Sequence, residues 1–229
     1  MKKIRTKEYF QIFFIRFLGN FLLLTSLFFI AKTFYQPIKE EIRYFLDKKM
    51  TKKYLVANSQ ADAQIQKGLL AKSVDFKSIR FLVPEDPWFS IIIPKIGANA
   101  HVIANVDPVH EAVYLDVLKK GVAHAAGTAF PGEGGHIFLF AHSTDYFWNV
   151  GSYNAVFYLL YKLDKGDQII LFYKNQRYNY RVVDKKVVDP SQVEYLTRKT
   201  NSEFLTLQTC WPPGTTLKRI VVFAVRAKE

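Results

Sequence analysis

Cysteine is almost absent from this 229-residue chain, which carries only Cys210. A single thiol cannot close an internal disulfide or supply a cysteine cage for zinc, so it is either a small buried hydrophobe or a group kept for its reactivity. The five histidines are scattered and no His-Glu-x-x-His run occurs, so compact metal-ligand spacing is missing too. Internal repeats and low-complexity tracts are also lacking. Acidic residues are in short supply: 20 Asp and Glu against 32 Lys and Arg leave a net charge of +12. Half of that excess falls before Met50, where 10 basic residues meet 4 acidic ones. The excess is therefore concentrated at one end rather than spread as a nucleic-acid-binding surface. What is abundant is apolar: 49% hydrophobic and 16% aromatic residues can build a real core, which excludes global disorder.

The amino-terminal fifth reads as a membrane anchor. Lys2, Lys3, Arg5 and Lys7 precede an apolar stretch over 10–35 whose centre, 17–31, has no charge. Crossing the hydrocarbon layer takes roughly 20 residues, a length reached if Arg16 extends towards the basic end. The positive flank predicts a cytoplasmic tail over 1–9, with the rest of the chain outside. A cleaved signal peptide is the competing reading, but the apolar region is long and no Ala-x-Ala-type site closes it. Being apolar on every face also sets this segment apart from an ordinary core helix.

From 36 to 83 the composition turns to mixed charge with helical spacing, as in Ile38, Ile42, Phe45 and Leu46, and again in Ile65, Leu69 and Leu70. This predicts a partly helical extracellular stalk, a helix laid on the domain, or an unstructured linker. The compact domain is expected over 84–229. There, β-type runs at 88–93, 100–105, 137–142, 168–173, 178–188, 204–210 and 217–225 are separated by Gly- and Pro-rich breakers. Helical patterns occupy 109–120 and 155–163. Many short strands with few helices predict a mainly β fold, a closed or nearly closed barrel.

Alternation along 204–210 separates Leu205 and Leu207 from Thr206, Gln208 and Cys210. If the leucines face the interior, the thiol faces a surface groove. A reactive cysteine needs a proton acceptor, commonly histidine. His142 ends the apolar run Ile137-Phe138-Leu139-Phe140-Ala141 and precedes the polar turn Ser143-Thr144-Asp145, where a scaffold can present chemistry. His136 lies at the other end of the same run, about 20 Å away at ~3.3 Å per residue, so both cannot serve one site. Arg219 opens the next apolar run after Trp211-Pro212-Pro213-Gly214, a tract that can turn the chain into an antiparallel neighbour. A cation beside the thiol would stabilise an oxyanion or hold a substrate carbonyl.

These residues carry a family resemblance. Thr206-Leu207-Gln208-Thr209-Cys210 matches the Thr-Leu-x-Thr-Cys signature of the sortases, membrane-anchored cysteine transpeptidases of bacteria. Ile93-Pro94-Lys95-Ile96-Gly97, Gly121-Val122-Ala123-His124, Gly127-Thr128-Ala129-Phe130-Pro131-Gly132, Phe138-Leu139-Phe140-Ala141-His142-Ser143 and Leu217-Lys218-Arg219-Ile220-Val221-Val222 resemble further family segments in the right order. The resemblance implies a sortase-like closed β-barrel of about eight strands with short helices, following a transmembrane helix. It also implies catalytic roles for Cys210, His142 and Arg219, a substrate- or oxyanion-holding role for Thr209, and a structural one for His124. The implied reaction cleaves an LPXTG-like carboxyl-terminal signal of a secreted protein between Thr and Gly. The acyl group then passes to an amine such as a peptidoglycan precursor or a pilin lysine. No cofactor is required. Calcium stabilises a loop in some sortases, but no dense carboxylate cluster points to it here.

Asp86-Pro87-Trp88 is similar to the lid element of pilus-building sortases, yet it abuts the first strand, so a plain turn is the competing expectation. Two other functions compete with transpeptidation. A thiol hydrolase would use the same groups with water as acceptor. A non-enzymatic, membrane-tethered β-domain, in contact with membrane lipid through its amino-terminal anchor, would bind anionic wall polymers through its basic excess, but it leaves the cysteine strand unexplained. Nucleic acid is excluded as a partner by the extracellular placement and by aromatics patterned as strand core.

Overall fold

Runs of β-branched and aromatic residues cut by Gly and Pro produce ten strands and three helices in the computed structural model, which describes residues 6–70, 78–143 and 156–227. The helices are α1 (Thr6–Lys49), α2 (Gln60–Leu70) and α3 (Glu111–Leu118). The strands are β1 (Lys53–Val56), β2 (Ile79–Leu82), β3 (Phe89–Ile93), β4 (Ala98–Val106), β5 (Val122–Ala125), β6 (His136–Phe140), β7 (Gln168–Tyr173), β8 (Gln176–Val188), β9 (Phe204–Trp211) and β10 (Lys218–Arg226). Two units divide the chain between Ile42 and Arg43. The first holds most of α1, including Tyr9–Lys32, a stretch long and apolar enough to cross a membrane. Of the basic flank, Lys2, Lys3 and Arg5 lie outside the described residues.

The second unit holds the expected barrel. Strands β3 to β10 close in the order β10-β8-β7-β3-β4-β5-β6-β9. Most neighbours are antiparallel, while β4–β5 and β6–β9 run parallel. Parallel neighbours need a crossover rather than a hairpin. For β4–β5 that crossover carries α3, within the helical pattern expected at 109–120. Alternation sends Ile91, Ile93, Ile137, Leu139, Leu205 and Leu207 into one fully buried core.

Two expectations change. Residues 156–163 form turns and a short 3-10 segment, Leu160–Lys162, instead of an α-helix. Phe157, Leu159, Leu160 and Leu163 are all buried, and an α-helix would set 157 and 159 on opposite faces. The compact unit also starts at Arg43 rather than near Pro84. Strands β1 and β2 pair in parallel, as Lys53 with Ile79 through Val56 with Leu82. Val56 and Leu82 pack on Ile92, Ile170 and Phe172, on the outer face of β3 and β7. Asn99 Nδ2 donates to Val83 O at 2.7 Å and Arg177 Nη1 to Val56 O at 3.3 Å. The segment expected as a stalk is thus partly a layer on the barrel.

The end of α1 belongs to the same unit. Asp47 is buried, and burial works to raise its pKa, but hydrogen bonds from Tyr54 and Lys52 outweigh it and hold the carboxyl below its usual value. Arg43 Nη2 donates to Ile96 O at 2.9 Å, directly before Gly97. Gly97 has φ +62°, and a Cβ there would lie 2.5 Å from Arg43 Nη1, so both the backbone and the close approach call for glycine.

Candidate active site

Three adjacent strands, β6, β9 and β10, build the site. In the antiparallel β9–β10 ladder Cys210 and Arg219 are direct partners, which puts their side chains on the same face. Ile220 and Val222, on the opposite face of β10, enter the core, as Leu205 and Leu207 do from β9. Both Cys210 and Arg219 therefore face outward. On the other side of β9, β6 runs parallel from the pair His136–Phe204 to the pair Phe140–Gln208. Contact continues beyond the ladder, with Ala141 N donating to Gln208 O at 3.2 Å and Thr209 Oγ1 to Ala141 O at 2.8 Å. One residue further along each chain come His142 and Cys210. Since Ile137, Leu139 and Ala141 point into the core, alternation turns His142 outward as well. The backbone thus sets His142, Cys210 and Arg219 at the ends of three neighbouring strands, along one edge of the barrel.

Cys210 is half-buried. Burial pushes its thiol pKa up, and the positive charge of Arg219 partly offsets this. The guanidinium is turned towards its own loop, where Nη1 donates to Thr216 O and Lys218 O, both at 3.1 Å. Lys218 Nζ pairs with Asp189 Oδ1 at 2.6 Å, tying the start of β10 to the segment after β8. Trp211, the residue after the cysteine, lays its ring 5.0 Å from that of Tyr161. Thr144 and Asp145, in the polar turn expected after His142, lie outside the described residues.

Thr209 points to the other side of β9 from Cys210. Only 4% exposed, it shares the inward face of β9 with Leu205 and Leu207, and its hydroxyl is committed to the Ala141 carbonyl. Alternation is the reason: a neighbour of an outward cysteine must point inward. Its side chain links the strand of Cys210 to the strand leading to His142.

The other histidines have different surroundings. His124 is fully buried, accepts Asn105 N–H at Nδ1 (3.3 Å) and lies 3.0 Å from Ala129 O through Nε2, which assigns the proton to Nε2. It stacks on Phe130 at 4.4 Å, and burial lowers its pKa, so it is a neutral packing residue. His136, bonded to Thr206 Oγ1 at 2.8 Å, is pushed down to about 4, first by burial and then by the nearby Arg198 charge. His101 and His110 pair with Asp86 (2.8 Å) and Asp107 (2.6 Å). Asp86 also accepts Trp88 N–H at 2.7 Å, while Pro87 O and Trp88 O accept from Asn175 and Lys174 of the β7–β8 turn. These partners hold Asp86-Pro87-Trp88 against the β7–β8 turn at the approach to β3. Among the described residues no group of three His, Cys, Asp or Glu could hold a metal ion.

The family model for the sortase domain matches residues 91–227, from within β3 to the end of β10. The chain belongs to the sortase family. Sortase D of Bacillus subtilis (strain 168) is 31% identical over 137 residues, covering 58% of this sortase and 61% of that protein, so the match spans about three fifths of the relative's length. Among solved structures, sortase C-1 of Actinomyces oris superposes with a TM-score of 0.53 at 29% identity, over 63% of this chain and 77% of that one. The pilus-related sortase C of Group B Streptococcus gives a TM-score of 0.51 at 28% identity, over 62% and 67%.

Proposed function

We propose that this sortase is a membrane-anchored cysteine transpeptidase that cleaves an LPXTG-like signal between Thr and Gly and passes the acyl group to an amine. Cys210 Sγ attacks the threonine carbonyl and gives its proton to His142. The tetrahedral intermediate collapses to a thioester as His142 protonates the departing glycine amine. An incoming amine then attacks the thioester, His142 takes the proton released from it, and the thiolate leaves and is reprotonated. Arg219 exchanges its loop carbonyls for the oxyanion during both attacks. Acceptors of suitable chemistry are a peptidoglycan precursor amine or a pilin lysine, both outside the membrane.

The reading is carried by the pairing of Cys210 with Arg219 in the β9–β10 ladder, flanked by β6 running parallel towards His142. The apolar span Tyr9–Lys32 behind a basic flank supports a cytoplasmic amino terminus and an outward catalytic unit.

The test is to mix the full-length enzyme in detergent with an LPXTG peptide and a panel of amines, then follow the masses. An acyl-enzyme is expected, along with amide products that depend on the amine, and Cys210→Ala should give no adduct. His142→Ala should slow acylation on the order of 10²–10⁴-fold, and Arg219→Ala on the order of 10²–10³-fold. Near-wild-type acylation in either variant would reject that residue's role. If every amine yields only hydrolysed peptide, the protein is a thiol hydrolase instead.

A further inference from the structure

Cys210 stands one residue before the end of β9. The last ladder pair is Trp211 with Lys218, after which Pro212 and Pro213, with no N–H to donate, lead into the turn. Backbone pairing alone holds such a strand end loosely, and the ring of Trp211 supplies a second hold. It packs on the core and lies 5.0 Å from Tyr161 at 49°. Tyr161 is fixed in turn, because Lys185 Nζ of β8 donates to Tyr161 O (2.5 Å) and Leu163 O (2.6 Å). The next residue, Lys162, sets its ammonium between two rings, 4.7 Å from that of Tyr161 and 5.3 Å from that of Tyr44 in the last turns of α1. Those turns are held by Arg43 on Ile96 O and by Asp47 with Tyr54 and Lys52.

We infer that residues 43–49 are a positioning element for the nucleophile: Tyr44, through Lys162 and Tyr161, fixes Trp211 and with it the end of β9 that presents Cys210. Tyr44 and Lys162 touch no reacting atom. They act by limiting how far the strand end moves relative to Arg219 and β6, and displacements of about 1 Å at a reacting group can cost on the order of 10²-fold in rate. The kinetic part of the inference rests on Cys210 being the nucleophile, but its thiol chemistry can be read without that assumption.

The test uses the full-length chain in detergent, comparing wild type with Tyr44→Ala, Lys162→Met and Tyr44→Phe. Because the protein has one cysteine, alkylation by iodoacetamide reports Cys210 alone. Tyr44→Ala and Lys162→Met are expected to lower kcat on the order of tenfold, with KM within about twofold. Both should also shift the pH profile of alkylation. Combining them should cost little more than either alone, since both break one chain of contacts. Tyr44→Phe keeps the ring face and should behave as wild type. Lys162→Met leaves the core intact and carries the test if Tyr44→Ala fails to fold. Lowered melting temperatures with wild-type kcat and alkylation profiles would overturn the inference and reduce these contacts to packing. A shifted alkylation profile in a protein whose wild type shows no acyl transfer would refute the functional reading and leave the positioning role standing.

Discussion

Replacing Thr209 by valine separates a strand-linking role from a substrate-binding one. The side chain is 4% exposed and its hydroxyl lies 2.8 Å from the Ala141 carbonyl, so valine keeps the volume and removes only the bond. Losing a hydrogen bond costs about 1 kcal/mol net, and stranding a buried acceptor adds to that, giving roughly 1–2 kcal/mol in all. For a domain of this size that is a fall in Tm of roughly 2–8 °C. Thr209→Ser keeps the donor and should lose less than valine does, about 0.8 kcal/mol for the missing buried methyl. The assays are thermal unfolding in detergent and steady-state cleavage of a sorting-signal peptide. A linking role predicts that Tm falls further for valine than for serine. It also predicts that kcat declines as β6 and β9 separate, while KM stays within about twofold. An unchanged Tm with a raised KM would refute the reasoning and return Thr209 to the groove.

Arg219 offsets the upward push of burial on the Cys210 thiol, so Arg219→Gln should move the alkylation profile to higher pH, whereas Arg219→Lys should retain the wild-type profile yet still lose kcat, because an ammonium lacks the planar fork of donors. An Arg219→Gln profile identical to wild type would remove the electrostatic part of the argument. His136 makes the fold acid-sensitive. Its pKa falls from 6.5 to about 4 on folding, so the unfolded chain takes the proton first. The stability tied to the neutral ring is complete above pH 6.5 and is lost progressively down to about pH 4. At most about 3 kcal/mol is involved, at 1.36 kcal/mol per pH unit. Melting curves at pH 7 and 4.5 should therefore differ less in His136→Gln than in wild type, and equal differences would exclude His136 as the source.

Much of the barrel was legible because its strands obey a simple period: Leu205 and Leu207 against Cys210, or Ile137 and Leu139 against His142, announce faces directly. The same rule turns Thr209, between Gln208 and Cys210, inward. Four-residue strands such as β1 and β2 hold too few alternations to stand out, and their parallel pairing across α2 leaves no turn signal between them. The surroundings of His136 come from Phe204 and Thr206 on β9, far along the chain, so nothing local in the sequence announces its buried state.

The parallel pairing of β6 with β9 has an engineering consequence. His142 and Cys210 leave the sheet at the same edge, but the chain joining them passes through two other barrel strands and several surface loops. Their mutual spacing is set by the ladder, not by the length of what lies between. The segment between Asp189 and Glu203 can therefore be lengthened, shortened or grafted from another sortase without re-spacing the ends of β6 and β9, provided Asp189 and Glu203 keep their contacts with Lys218 and Arg226.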